Sequence, residues 1–276
     1  MKHIISILIL IQTIAAQDIG KSRIIQSLTA VQDGFVSSLE WQDVPVATLY
    51  LSRHIINNSS FGDFIIVPPT SFDLDISKSF SATDRSSPGS IDKDLIPHTI
   101  FLGRLGINFA LDLLTDREIS GSPYKSAFLF QKSLIYTYTV TEIAKTIFKR
   151  ERPDNSDTRS FFSGHTSTTF AGATFLFLEL NDIYTNTKWI VENKYLLKAI
   201  QTTTFACLYG WAGYVGYCRI QDNRHYLSDV LIGASIGTVI SYILHQSYFC
   251  EDDSFLKDLS IESLQDRLLL SYSLRF

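Results

Sequence analysis

The chain has little cysteine: Cys207, Cys218 and Cys250 are the only three among 276 residues. An odd number without ligand-type spacing excludes a disulfide framework and a cysteine-held metal, so each reads as a small, partly buried hydrophobe. Basic excess is also missing. Lys and Arg total 24 against 28 Asp and Glu, for a net charge of -4, so no nucleic-acid partner is expected. Any positive charge that matters must be local. No internal repeat and no low-complexity tract is present. With 45% hydrophobic residues and 13% aromatics, what remains is an ordered chain with a sizeable core.

Residues 1–16, MKHIISILILIQTIAA, read as a cleaved export signal. Lys2 gives the basic start, Ile4–Ile11 the apolar stretch and Ala15-Ala16 the small residues at the cut. The apolar run is far shorter than the ~20 residues a membrane span needs. The mature chain is therefore expected outside the cytoplasm.

Residues 17–92 are mixed and turn-rich, and they carry no legible chemistry. Thr83–Asp92 (TDRSSPGSID) is the clearest linker. Long helical patterns follow over 96–114, 126–150, 165–180, 199–217 and 225–249, which predicts an all-α bundle of five or six helices. Proline disfavours helix at the residue before it, so Arg152-Pro153 is expected to end the second. Residues 199–218 and 230–250 lack Asp, Glu, Lys and Arg and are long enough to cross a membrane. Membrane association is expected from them. The last stretch, DRLLLSYSLRF, alternates at strand period and ends on an aromatic residue. It is similar to the C-terminal signal of outer-membrane barrels, though one alternating segment closes no barrel.

Three stretches carry chemistry. In KTIFKRERP, Lys145 sits near a helix end and Arg152-Pro153 follows after six residues. Taken singly, basic residues there complement a helix dipole. In SFFSGHTS, Ser163-Gly164-His165 opens a helix, whose free N–H groups suit an anion, although Ser-Gly is also an ordinary cap. In CRIQDNRHYLSD, Arg219 is followed by His225 and then, at i+4, by Asp229. That spacing lets Asp229 accept a hydrogen bond from one imidazole nitrogen, leaving the other as nucleophile. A first-turn Asp also steadies a helix start.

In order, K-x6-R-P, S-G-H and R-x5-H-x3-D resemble the signature of the type 2 phosphatidic acid phosphatase and vanadium haloperoxidase superfamily. The likeness spans about residues 95–250. Phe162 and Cys218 stand where the family pattern has proline and serine, and neither removes an ionisable group. The resemblance implies a phosphatase bundle over residues 93–250 with its active site at helix ends, followed by a tail over 251–276. It implies that Lys145, Arg152 and Arg219 bind phosphoryl oxygens and that Ser163 and the Gly164 N–H complete the cradle. His225 would attack phosphorus, His165 protonate the leaving group and Asp229 orient His225, with no metal and no cofactor. The substrate expected is a lipid phosphate or diphosphate, met by a membrane-associated enzyme facing the periplasm. A soluble periplasmic acid phosphatase of broad specificity and a vanadium-dependent haloperoxidase are the alternatives.

Overall fold

The computed structural model describes residues 23–58, 65–81, 95–249, 259–264 and 267–272. Among them lie nine helices: α1 (Arg23–Ser37), α2 (Asp43–Asn58), α3 (Ser71–Phe80), α4 (Leu95–Leu114), α5 (Ser122–Ile147), α6 (Gly164–Asn186), α7 (Lys188–Val191), α8 (Lys194–Gln221) and α9 (Leu227–Phe249). Four short strands complete the set: β1 (Ile65–Ile66), β2 (Phe148–Lys149), β3 (Leu259–Leu264) and β4 (Arg267–Tyr272). The fold is all-α. From residue 95 to 249 there are five long helices and the single turn α7, while α1, α2 and α3 add helix to the segment read as irregular. The export signal, the linker Thr83–Asp92 and Cys250 lie outside the described residues.

The helix expected to run to Arg150 stops at Ile147. Its end is set by β2, which pairs in parallel with β1, Ile65 opposite Phe148 and Ile66 opposite Lys149. Backbone pairing with a distant segment stops the helix before Pro153 can. In the tail, β3 and β4 form an antiparallel pair with Leu259 opposite Tyr272 and Leu264 opposite Arg267.

The chain divides into two compact units. One holds residues 1–52 and 94–132. In it α1 packs on α4, and Phe128 receives Phe35 and Phe101 edge-on at 5.2 and 5.6 Å. Arg23 donates to the carbonyls of Asp112 and Thr115, both at 2.6 Å, and so caps the C-terminal end of α4, where carbonyls lack helix partners. The buried Asp112 carboxylate accepts from Tyr124 Oη at 2.6 Å and pairs with Arg117.

The second unit holds residues 53–93 and 133–276. At its centre α6 packs against both α8 and α9. The reason lies in residue size. On α9, Gly233, Gly237 and Ser241 recur every fourth position and so share one face. A Cβ at Gly233 would stand 2.8 Å from the Ser163 carbonyl, and one at Gly237 would overlap the Ser167 carbonyl outright. Ser241 donates to the Ala171 carbonyl at 2.7 Å. The α9 backbone therefore rests directly on the first turns of α6. From α5, the Thr141 and Ser167 hydroxyls meet at 3.0 Å.

Among the described residues α9 is the one helix long and apolar enough to cross a membrane, with 28% of its apolar window buried. The helix containing 199–218 does not reach that apolarity, because α8 carries Thr202–Thr204 and many half-polar aromatics. Even so, Phe205, Tyr214, Tyr217, Leu231, Val239 and Tyr242 of α8 and α9 are exposed. Cys207 is exposed as well, unlike the buried Cys218.

Candidate active site

Ser163 is the N-cap of α6. Its Oγ accepts from the Thr166 hydroxyl at 2.9 Å and faces the Thr166 N–H at 3.4 Å. Both contacts use it as acceptor, so its own hydroxyl hydrogen remains available to an anion. The capping role and the phosphate role are compatible. Gly164 and half-buried His165 form the first turn beyond it. The Ser163 N–H donates to the Asp229 carbonyl at 3.2 Å, which stitches the start of α6 to the start of α9.

His225 is buried just before α9, and its own N–H donates to the Arg219 carbonyl at 3.2 Å. Its Nδ1 lies 2.7 Å from the Ser160 carbonyl and 3.8 Å from Asp229 Oδ2. A carbonyl can only accept, so Nδ1 carries the proton and Nε2 carries the lone pair. The tautomer expected from the sequence is present, but main chain fixes it. Asp229 acts on the imidazole through charge at 3.8 Å, because its oxygens are taken. Oδ2 accepts from the Ser160 hydroxyl at 2.6 Å and from the Tyr226 N–H at 2.9 Å. Oδ1 pairs with Arg150. The Tyr226 contact is a helix-start bond, so Asp229 also steadies α9.

Burial pushes the His225 pKa down to about 4, the positive charges of Lys145 and Arg219 add to the fall, and Asp229 opposes it. His225 is thus a neutral imidazole near neutral pH. Lys145 (8% exposed) and Arg219 (7%) are buried cations that act on it from α5 and the last turn of α8. Burial lowers the Arg219 pKa to about 10; Asp222 opposes the fall, and Arg152 and Arg224 contribute to it. Arg152 thereby joins the cluster. Its position comes from a small turn, in which the Arg152 N–H donates to the Asp157 carbonyl at 3.0 Å and Nε to Asp157 Oδ1 at 2.7 Å. Asn155 adopts a positive φ of 55° within that turn. Lys145, Arg152, Arg219, His225, Asp229 and Ser163 are tied together by contacts or by charge, and Gly164 and His165 follow Ser163 in the first turn of α6.

Each cation also has a carboxylate beside it. Lys145 lies 4.0 Å from Glu142, Arg152 2.7 Å from Asp157 and Arg219 3.7 Å from Asp222. Such pairing holds long side chains in place before an anion arrives. The departures at Phe162 and Cys218 are packing variations, since both side chains are buried in the core.

Three residues escaped the sequence reading. Arg150 and Asp73 are buried, and Arg150 bridges two carboxylates by pairing with Asp229 on one side and with Asp73 Oδ2 at 2.7 Å on the other. Ser160 supplies both a carbonyl and a hydroxyl. Asp73 did carry a signal: Thr70-x-x-Asp73 is a capping-box pattern, and it forms one at the start of α3.

Residues 127–251 match the model of the PAP2 superfamily. A lipid A 1-phosphatase from Porphyromonas gingivalis is 35% identical over 96 residues, which is 35% of this chain and 18% of that one. Lipid phosphate phosphatase 1 of Arabidopsis thaliana is 35% identical over 94 residues, 33% of this chain and 26% of the relative. The chain thus spans about a quarter or less of those proteins' lengths. The crystal structure of the first transmembrane PAP2-type phosphatidylglycerolphosphate phosphatase from Bacillus subtilis is 16% identical, with a TM-score of 0.45 over 75% of this chain and 98% of that one. The matched stretch takes in every candidate residue from Lys145 to Asp229, and over residues 127–251 the chain is similar to the PAP2 superfamily.

Proposed function

We propose that this chain is a phosphatase that hydrolyses a lipid phosphate or diphosphate through a phosphohistidine, without a metal. The observation that carries the reading is the buried His225, neutral and with its proton held at Nδ1 by Ser160, among the cations Lys145, Arg152 and Arg219. The Nε2 lone pair attacks phosphorus as the bond to the leaving oxygen breaks, and His165 gives that oxygen a proton. Water then attacks phosphorus, His165 takes the water's proton, and the P–N electron pair returns to Nε2. The three cations, with Ser163 and the Gly164 N–H, balance the charge on the equatorial oxygens throughout.

A lipid substrate is supported by the exposed apolar faces of α8 and α9, by the apolar length of α9, and by the lipid substrates named for the relatives. The enzyme is membrane-associated, and it works outside the cytoplasm if residues 1–16 act as their sequence suggests.

The test is phosphate release from dispersed phosphatidate, a polyprenyl diphosphate and a soluble phosphomonoester. Release should persist in EDTA and stop with micromolar vanadate, which takes up the five-coordinate geometry of the transition state. A preference for the soluble ester would replace the lipid reading with a soluble acid phosphatase. Halide oxidation that depends on vanadate would replace the hydrolase. The pH profile is a further check. Because His225 must be neutral to attack, kcat/KM should hold down to about pH 5 and fall as pH drops through about 4. Its folded pKa lies below the unfolded value near 6.5, so stability should also decline as pH falls across that window. Melting curves at each pH separate the two effects.

A further inference from the structure

We infer that Asp73 on α3 is a positioning residue for His225, acting through Arg150 and Ser228 on Asp229. The proposal rests on the phosphohistidine reading and deepens it. α3 lies outside the stretch that matches the family, residues 127–251.

The contacts form one buried chain. The Asp73, Arg150 and Asp229 side chains are at most 2% exposed. Arg150 gives Nη2 to Asp73 Oδ2 at 2.7 Å and shares Nη1 between Asp229 Oδ1 and the Ser228 hydroxyl. That hydroxyl donates to Asp73 Oδ2 at 2.9 Å, and the Ser228 N–H donates to Asp73 Oδ1 at 3.0 Å. Thr70 closes the far side, its N–H and hydroxyl both donating to Oδ2 at 3.1 and 3.0 Å. Arg150 further lies over the Tyr226 ring at 4.8 Å from its centroid. Both guanidinium amino groups are thereby committed to carboxylates.

Asp73 caps the start of α3 through Thr70, and it also accepts from Arg150 and Ser228 beyond that helix, which a cap alone does not require. Desolvating Asp73 raises its pKa, yet the bonds from Ser228 and Thr70 outweigh this and bring it to about 2. It is therefore charged across the working range. The groups facing it are Arg150 beyond β2, Ser228 and Asp229 on α9, and Thr70 on its own cap. Those facing His225 are Lys145 on α5, Arg219 on α8 and Asp229 on α9. With Asp73 present, Arg150 is shared between two carboxylates and Asp229 keeps its negative field on the imidazole. Without that charge, Arg150 turns wholly to Asp229, and His225 becomes a less basic nucleophile.

The experiment compares wild type, Asp73→Asn, Ser228→Ala and His225→Ala on dispersed phosphatidate, with circular dichroism to confirm folding. For D73N, kcat should fall about 10- to 100-fold with KM within about twofold, the size expected of a misplaced or weakened reacting group. Its acid limb should move to lower pH. S228A, which cuts one link and keeps both charges, should lose less in kcat and carries the test if D73N does not fold. A 13C-labelled His225 imidazole titrating at lower pH in D73N reports the same change without substrate. Unchanged kcat and titration in D73N would overturn the proposal, as would lower activity with an unmoved midpoint, which marks a purely structural role. A wild type as inactive as H225A defeats the phosphatase reading itself, while the imidazole titration still decides the coupling.

Discussion

His225→Ala should lose phosphate release by about 10⁴-fold or more, the scale expected when a nucleophile is removed from a site that still binds. Lys145, Arg152, Arg219 and the α6 N-terminus remain, so vanadate should still bind, within about tenfold of its wild-type affinity. Burst measurements with excess phosphatidate check the first number and vanadate titration the second. Retained turnover would mean that another group attacks phosphorus. Asp229→Asn offers a contrast. If Asp229 held the imidazole proton directly, its loss would approach that of the nucleophile. Because the Ser160 carbonyl takes that proton at 2.7 Å, D229N should keep the reactive tautomer. Its kcat should fall by roughly 10²-fold, from lost charge and a looser α9 start.

Gly237→Ala is the second large effect, and it acts through packing. A single added methyl would overlap the Ser167 carbonyl and meet Ala171 N at 3.1 Å. Both are α6 backbone, which cannot turn aside as a side chain can. The helices must separate, at a cost of about 3 kcal/mol or more. The strain should reach the site, since Ser163 and Asp229 are joined where the same two helices begin. Thermal unfolding in detergent measures it, together with phosphate release at low temperature. Gly213→Ala on α8 is the control: a Cβ there meets nothing within 4 Å, and alanine favours helix by up to about 1 kcal/mol. A G237A protein that melts with wild type would refute the close contact.

The local placement of the candidate site was largely legible because its residues lie in three short runs, each read at a helix end. Spacing alone placed Ser163 at a cap and His225 near Asp229. What spacing could not supply was the direction of each side chain. Asp229 sits at i+4 from His225 as expected, yet it turns to the Tyr226 N–H, the Ser160 hydroxyl and Arg150. Arg150 lies two residues from Arg152 and looked like one more basic residue at a helix end. Its partner Asp73 is 77 positions away, and no local pattern joins them. The helices from residue 95 onward were readable from apolar periodicity. α1 carried the same signal, with Ile24, Leu28, Val31 and Phe35 at helical spacing, and was overlooked, whereas α2 has a proline in its first turn and α3 is only ten residues long. The end of α5 was misjudged for a related reason, since pairing of β2 with β1 depends on a segment some 80 residues earlier.

The acceptor for the His225 proton has an evolutionary consequence. It is a peptide oxygen, present whatever residue is encoded at position 160, so no single codon change can delete it. Ser160→Ala would take the hydroxyl from Asp229 and leave the imidazole proton where it is. Selection can therefore retune the charge around His225 by altering side chains while the tautomer of the ring is inherited with the path of the backbone.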